Sequence, residues 1–350
     1  MFILQSVTRL GRKRLCGKAQ QILSAASRSA SEAPQMAVLL PPDPVFSLRS
    51  ADMGAVHSVT FDSCQRLCAG TASGRIFLWD LQTNRCRMNF SAAPRPIIAL
   101  HRDARGALVS QEKGAGVKVW RPTNCGYEVS GQIETDSGNF CRIDCSDERD
   151  LMLVPKGANH LQVHSLRDLQ LVMTLQPEAE ESLGALMSCR IIDPDAAHAL
   201  AAFESGHFVT WDLREGKVLS SVKLEESPMA LDYDSLTNRG ICAGPGDSMR
   251  VFAFQRPQMA IVQRSEIALK NPGISVVRIR PDRKVFVSGG WDGRVRVFSW
   301  KSLRPLAVLT EHKKGVLDVA FSPGSVDLWR APLMAVAGED SQISLWNLYN

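Results

Sequence analysis

The sequence lacks any apolar run close to the ~20 residues that a membrane-spanning helix needs. It also lacks the cysteine density of a disulfide scaffold, with nine cysteines in 350 residues, an odd number, and no CxxC pair. Such cysteines are typical of reduced and mostly buried thiols in an intracellular protein. We therefore expect neither an integral membrane protein nor a secreted domain held together by disulfides.

Excess charge is absent from most of the chain. The formal net charge is +5, but residues 1–35 alone carry six Lys and Arg side chains against the single acid Glu32. The rest of the sequence is therefore neutral overall. A neutral body has no electrostatic excess with which to hold a phosphate backbone, so we predict no nucleic-acid partner.

Catalytic motifs are missing as well. The sequence contains no GxSxG, no HExxH, no P-loop and no GxGxxG after a strand pattern. Three pairs of possible metal ligands stand close together: Cys64 and Cys68, Cys141 and Cys145, and His160 and His164. The cysteine pairs have no nearby histidine, and the histidines lie on a predicted strand at the wrong rise for a helical metal pair. We predict no enzyme activity, no cofactor and no metal site.

The first 35 residues form a segment of their own. They are rich in Arg, Ser and Ala, and they cannot build a packed core. Two interpretations stay open: a disordered basic extension ahead of a second start at Met36, or a mitochondrial transit peptide, which has this composition. The first predicts a cytoplasmic and nuclear protein, and the second a mitochondrial one. In either case residues 36–350 are the folded domain.

What the sequence does contain is a repeat. Seven segments share a small or Gly-containing turn, an alternating stretch and a large ring at a fixed offset. The ring positions are Trp79, Trp120, His164, Trp211, Phe252, Phe298 and Trp346. They are spaced by 41 to 48 residues, near the ~40–45 of a four-stranded propeller blade. We predict that all seven ring residues are buried and structural.

The segments between the seven ring residues have the pattern of β-strands throughout. Segments such as residues 56–70 and 276–290 read as an alternating strand, a polar turn and a more continuously apolar strand. The sequence therefore predicts an all-β, seven-bladed β-propeller over residues 36–350. The last blade reaches the end of the sequence after three strands, and residues 44–50 (PVFSLRS) offer the strand that would close it.

These repeats resemble those of the WD-repeat proteins. Trp79-Asp80 and Trp211-Asp212 carry the Trp-Asp dipeptide, and SGGWDGRVRVF (288–298) is the fullest match to the inner turn. In that family an aspartate, a histidine, a hydroxyl and the tryptophan form a hydrogen-bonded chain. The resemblance implies this role for Asp340 and His312, while most other blades lack the residues.

A narrower resemblance extends over residues 36–350 and is strongest after residue 228. NPGI, RPDRK, RPLAVL and the ending SLWNLY are similar to the ASTRA-associated WD-repeat family, which includes the G-protein-beta-like proteins of animals. The resemblance implies a non-catalytic scaffold, monomeric within a complex, that acts beside the Tel2–Tti1–Tti2 co-chaperone assembly. Its implied clients are phosphatidylinositol 3-kinase-related kinases, which links it to DNA-damage signalling. The alternative is a substrate receptor of a ubiquitin ligase.

A G-protein γ subunit is not expected as a partner. True β subunits bind γ through a heptad-repeat helix that precedes the propeller. In this sequence a proline-rich segment without a heptad repeat precedes the propeller instead. Candidate protein-interaction residues come from two places instead, the block after residue 270 and the insertion at 323–333. They are Asn271, Arg280, Asp282, Arg283 and Lys284, and Trp329 and Arg330. The first five are expected in turns or at strand ends where packing does not require them, and Trp329 either packs on the rim or is exposed.

Overall fold

The computed structural model describes residues 42–178, 180–192, 197–224 and 227–348. Residues 1–35, for which an extension or a transit peptide was predicted, lie outside the described residues. The described residues form 28 β-strands in seven four-stranded antiparallel sheets, and one short α-helix, α1 (Glu180–Leu183). This confirms the predicted all-β, seven-bladed propeller.

The strands are numbered in chain order and fall into consecutive blades. Blades 1 and 2 contain β2 (Val56–Ser63), β3 (Arg66–Thr71), β4 (Arg75–Asp80), β5 (Arg85–Ser91), β6 (Ile97–Arg102), β7 (Leu108–Glu112), β8 (Gly116–Thr123) and β9 (Gly126–Glu134). Blades 3 and 4 contain β10 (Asp144–Ser146), β11 (Leu151–Lys156), β12 (His160–Ser165), β13 (Leu171–Leu175), β14 (Leu186–Ile191), β15 (His198–Phe203), β16 (His207–Asp212) and β17 (Lys217–Lys223). Blades 5 and 6 contain β18 (Ala230–Asp234), β19 (Arg239–Ala243), β20 (Ser248–Gln255), β21 (Ala260–Ala268), β22 (Ile274–Ile279), β23 (Val285–Gly290), β24 (Val295–Ser299) and β25 (Pro305–Leu309). Blade 7 contains β26 (Val316–Val326), β27 (Ala331–Gly338), β28 (Ile343–Trp346) and β1 (Phe46–Leu48).

The first strand of each blade lies innermost, around a central channel. Among these inner strands, β26 of blade 7 packs against β2 of blade 1, which closes the ring. The ring residues are 0% to 6% exposed, because neighbouring blades cover both faces of the strand that carries them. The outermost strand β5 alternates between exposed and half-buried residues, as a strand with one covered face should.

Closure depends on the short strand β1. Phe46 pairs with Leu345 and Leu48 with Ile343, and the Val45 N–H donates to the Leu345 carbonyl at 2.8 Å. Leu48 is fully buried in the core that blades 7 and 1 share. The prediction that residues 44–50 complete the last blade is therefore confirmed.

Blade 7 holds the complete hydrogen-bonded chain that the family resemblance implied. His312 Nδ1 lies 2.9 Å from Asp340 Oδ1, and its Nε2 lies 2.8 Å from Ser344 Oγ. The Trp346 indole N–H donates to the same Ser344 oxygen at 2.7 Å. Burial alone would raise the pKa of Asp340, but hydrogen bonds from His312 and the Lys313 backbone hold that pKa below its usual range.

The other blades keep only pieces of this chain. In blade 2 the Trp120 indole N–H donates to Ser110 Oγ at 2.8 Å. The strand positions equivalent to Ser110 are alanines in blades 1 and 4, so the buried indoles of Trp79 and Trp211 find no acceptor among the described residues.

Blade 6 shows the converse defect. Ser288 occupies the position equivalent to Ser110, but the ring residue there is Phe298, which has no N–H to donate. The Ser288 hydroxyl is buried without a hydrogen-bond partner among the described residues. Packing of the rings rather than a repeated polar network therefore stabilises most blades.

The closing strand gives a first prediction. Leu48→Ala should lower the free energy of unfolding by about 2–5 kcal/mol, because it leaves a cavity in a core that no other strand can fill. Phe46→Ala, on the same strand but exposed, should cost about 0.5–1 kcal/mol. Urea unfolding followed by tryptophan fluorescence measures both losses. Equal losses would contradict the closure role of Leu48.

Two buried serines give a second prediction. Ser344→Ala removes a partner from both His312 and Trp346, so the free energy of unfolding should fall by about 2–4 kcal/mol. Ser288 is buried to the same extent but has no partner, so Ser288→Ala should change stability by less than about 0.5 kcal/mol or raise it. The same urea titrations compare the two, and a larger loss for Ser288→Ala would refute the assignment.

Candidate protein-interaction surfaces

The propeller presents two faces, which are defined here by their turns. The lower face carries the turns that join the first to the second strand and the third to the fourth strand of each blade. The upper face carries the turns between second and third strands and the connections between blades. Because β22 is six residues long, residues just before and just after it stand about 20 Å apart, on opposite faces.

The structure divides the predicted interaction residues between these faces. Asn271 precedes β22 and lies on the upper face, whereas Arg280, Asp282, Arg283 and Lys284 follow it on the lower face. Trp329 and Arg330 lie in the turn between β26 and β27, which is also on the lower face. The block after residue 270 is therefore not a single surface.

Asn271 has a structural partner on the upper face. Its Nδ2 donates to Asp292 Oδ2 at 2.9 Å, and Arg296 Nη2 donates to the same oxygen at 2.6 Å. Burial raises the pKa of Asp292, but these bonds and that from the Arg294 backbone outweigh it and lower the pKa. Asp292 and Asn271 thus occupy in blade 6 the places that Asp340, in the turn before β28, and His312, in the connection before β26, occupy in blade 7.

Arg280 is not a surface residue. It is 7% exposed, its Nε lies 2.9 Å from Asp282 Oδ1, and its Nη1 donates to the Leu348 carbonyl at 2.5 Å. The side chain thus ties the turn after β22 to the end of the described chain. Packing does require Arg280, so the expectation that it does not was wrong.

Arg283 and Lys284 are exposed, as expected of a turn. Arg283 has φ of 58°, a left-handed conformation, and the Lys284 backbone N–H donates to Asp282 Oδ1 at 3.0 Å. The Lys284 Nζ lies 3.9 Å from Asp282 Oδ2, a long and exposed ion pair that solvent screens. Both positive charges are therefore accessible at the lower face.

The insertion at 323–333 lengthens the β26–β27 hairpin. After a bulge, Ser325 pairs with Pro332 and Val326 with Ala331. Trp329 is half-buried and packs on the core shared by blades 7 and 1, so of the two expectations the packed one holds. Arg330 is exposed, and so is Leu328 at the tip of the turn, which the sequence patterns did not single out.

A cavity of about 150 Å³ brings the two candidate regions together between blades 6 and 7. Arg280 and Asp282 line it from one side, and Pro323 and Leu333 of the lengthened hairpin line it from the other. Phe321, Met334 and Leu348 add apolar surface. This is an apolar socket beside exposed cations, an arrangement that suits an apolar anchor within an acidic segment of a protein partner.

The central channel contains a second cluster, which the sequence analysis missed. We call it the channel girdle, and its members project from inner strands or the segments that lead into them. They are Arg142, Arg190 and Arg278, and Asp144, Asp232 and Asp318. The signal in the sequence was a single charged residue within otherwise apolar stretches of inner strands, as in VVRI (276–279) and VLDVAF (316–321).

The girdle joins blades that are distant in the ring. Arg142 of blade 3 reaches Asp318 of blade 7 with an Nη1–Oδ1 distance of 2.7 Å, and its Nη2 donates to the His57 and Leu317 carbonyls at 2.9 and 2.8 Å. Arg190 lies between Asp144 and Asp232 at 3.5 and 3.4 Å. Burial opposes the charge of Arg190, but both carboxylates outweigh it and raise its pKa.

The aspartates also connect neighbouring blades through the backbone. Asp318 accepts the Val59 N–H at 2.9 Å, Asp144 that of Ile191 at 2.8 Å, and Asp232 that of Ile279 at 2.7 Å. These bonds satisfy inner-strand donors that have no partner strand on the channel side. The girdle is therefore part of the fold as well as a lining for the channel.

The described residues offer no metal site of the usual kind and no helix that could span a membrane. Within the described ranges, no group of three or more His, Cys, Asp or Glu residues is placed to hold a metal ion. Among the described residues, no helix is long enough and apolar enough to cross a membrane.

The closed seven-bladed ring with a complete Asp–His–Ser–Trp chain defines a WD-repeat β-propeller, a fold that typically serves as a non-catalytic scaffold. A model of the WD domain, G-beta repeat family matches residues 268–299 and 303–347, the region of blades 6 and 7.

Comparison with curated proteins gives the particular family. The mouse guanine nucleotide-binding protein subunit beta-like protein 1 is 32% identical over 325 residues, which cover 88% of this chain and 97% of the mouse protein. ASTRA-associated protein 1 of Schizosaccharomyces pombe is 26% identical over 377 residues, and that of Schizosaccharomyces japonicus 25% over 369, each covering 88% of this chain and 99% of the relative. The chain belongs to this family of WD-repeat proteins.

Arg280 and Arg283 give a third prediction. Arg280→Ala should lower the free energy of unfolding by about 2–3 kcal/mol, because it removes charge-assisted bonds to Asp282 and the Leu348 carbonyl. Arg283→Ala, three residues along the same turn, should stay within about 0.5 kcal/mol. Chemical denaturation measures both, and a stable Arg280→Ala variant would contradict its buried role.

Proposed function

We propose that this chain is a protein-interaction scaffold of an ASTRA-type assembly. The observation that carries the proposal is the similarity to ASTRA-associated proteins over 88% of this chain and nearly the whole length of those relatives. A rigid ring with separate faces suits a protein that holds several partners at once. The neutral body of the chain fits protein partners better than nucleic acid.

The finer part of the proposal concerns the partners. We infer that the chain acts with the Tel2–Tti1–Tti2 co-chaperone assembly in the maturation of phosphatidylinositol 3-kinase-related kinases, in the cytoplasm and nucleus. This follows the family resemblance of the block after residue 228. The two blades that match the WD-repeat model, blades 6 and 7, also form the socket on the lower face.

The lower-face socket is the proposed point of contact. Its apolar lining would receive an apolar side chain of the co-chaperone, and the exposed Arg283 and Lys284 would attract acidic residues beside that anchor. Arg280 would act by holding the turn in place rather than by touching the partner. Long-range attraction of this kind mainly raises the rate of association, so it should weaken with salt.

The fourth prediction tests this contact. The double charge reversal Arg283→Glu and Lys284→Glu should leave the melting temperature nearly unchanged, since both side chains are exposed. It should weaken binding to purified Tel2–Tti1–Tti2 about tenfold or more, mainly through the association rate. Biolayer interferometry at two salt concentrations measures the affinity and the rate.

The matched control is Lys313→Glu with Lys314→Glu, a second exposed pair of adjacent cations, on the upper face. It should bind like the wild type. If this control loses binding while the lower-face variant retains it, the proposed contact is wrong. Wild-type protein that does not bind the assembly, together with unchanged kinase levels after depletion from cells, would overturn the function. Co-purification with a ubiquitin-ligase adaptor instead would favour the alternative.

A further inference from the structure

The upper mouth of the central channel opens into a cavity of about 300 Å³. Apolar side chains from several inner strands form most of its wall: Ile98, Met187, Met229, Leu231, Val276 and Leu317. Arg142, Arg190 and Arg278 of the channel girdle also line it, and the only acid in the lining described is Glu339. The girdle aspartates contribute instead to the lining at the lower mouth.

Two exposed aromatic rings stand at the mouth of this cavity. Trp291 of blade 6 is 51% exposed and Phe140, which precedes blade 3, is 55% exposed. Both side chains line the cavity, and they approach it from different sides of the propeller. An exposed Trp and Phe beside an open pocket are typical of the anchors of a binding surface.

The rings are held in place before any partner arrives. Gly273 has φ of 87°, and a Cβ at this position would lie 2.3 Å from the Trp291 ring. The indole therefore rests directly on the glycine backbone. Lys113 Nζ lies 3.3 Å from the centre of the Phe140 ring. Walls that are already ordered lose little conformational entropy on binding.

The three arginines differ in how well they are neutralised. Arg142 contacts Asp318 and two carbonyls, and Arg190 lies between two carboxylates. Arg278 Nη1 donates only to the carbonyl of its own neighbour Val277, and its Nη2 lies 3.5 Å from Asp318 Oδ1, the oxygen that Arg142 already holds at 2.7 Å. Among the described residues, Arg278 is therefore the girdle cation with the weakest partners.

We propose that the upper mouth of the channel is a receptor for an Asp or Glu side chain in an extended segment of a partner protein. The carboxylate pairs with Arg278, and the flanking residues of the segment pack on Trp291 and Phe140. A singly charged carboxylate matches the one weakly paired guanidinium, and Glu339 on the wall would repel a doubly charged phosphate more strongly than it repels a carboxylate.

The electrostatics of the mouth agree with this assignment. Burial lowers the pKa of His57, and the nearby charges of Arg142 and Lys113 lower it further. Burial also lowers the pKa of Arg278, and repulsion from Arg190 and Arg142 adds to it, while Asp318 and Asp232 act in the opposite direction. A bound carboxylate would offset the repulsion that Arg278 meets from Arg190 and Arg142.

This site is separate from the lower-face socket. It lies on the opposite face, shares none of the residues tested there, and does not depend on the identity of the proposed co-chaperone partner. Failure of one proposal leaves the other standing. A scaffold with both sites could hold two segments at the same time.

The fifth prediction uses peptides displayed from a random 12-residue library and selected on the purified full-length chain. Enriched sequences should share an Asp or Glu with an apolar or aromatic neighbour. For the most enriched peptide, fluorescence polarisation should give about tenfold weaker binding after Arg278→Met or after changing that acid to Gln or Asn, as expected for loss of a charge-assisted hydrogen bond. The two changes together should cost little more than either alone, since they remove the same contact.

Control variants keep this test interpretable. Trp291→Ala should weaken peptide binding. Leu328→Ala removes an apolar side chain that is as exposed as Trp291, at 51%, but lies on the lower face. This variant should leave the peptide affinity unchanged. Thermal melts measure whether the variants fold. Arg278→Met should fold, because Asp318 still has its ion pair with Arg142 and its hydrogen bond from the Val59 N–H.

Three results would overturn the proposal. The first is a selection that enriches no acidic sequence. The second is full binding by the Arg278→Met variant. The third is tighter binding when phosphoserine replaces the acid, which would make the site a phosphopeptide receptor.

Discussion

The structure depends on one constraint, the pairing of β1 with β28 that closes the ring. A single blade cannot cover both of its faces, so each blade is stable only between two neighbours. An open ring would expose the faces of blades 7 and 1, where Leu48 is buried. The complete polar chain of His312 and Asp340 lies in this same closing blade. Gln342 links it to the closing segment, since it accepts from Arg49 Nε at 2.9 Å and donates to Asp340 at 2.8 Å.

Loss of the polar chain in most blades has been compensated in two ways. Outside the channel, the buried ring residues fill the space between blades. They do so even in blades 1 and 4, where the Trp79 and Trp211 indoles have no hydrogen-bond acceptor among the described residues. Inside it, arginines and aspartates connect inner strands across the ring. A repeat can therefore lose its signature and still close, provided that size and burial at the ring position are kept.

The two faces offer different chemistry to partners. The lower face has an apolar socket with exposed cations beside it, and the upper face has a cavity with aromatic rings at its mouth and arginines at its base. Because β-strands span the ring between the faces, partners on one face need not exclude partners on the other. This is the geometry that a multi-partner scaffold requires.

The sequence by itself determined the number of blades, the ring residues and the closing strand, because each follows from a period or an alternation that is local in the chain. It did not determine the burial of Arg280 or the division of Asn271 from the residues after β22, because these depend on which face a turn reaches. The channel girdle also needed the tertiary structure. Arg142 and Asp318 are 176 residues apart, and only ring closure brings their charges together at 2.7 Å.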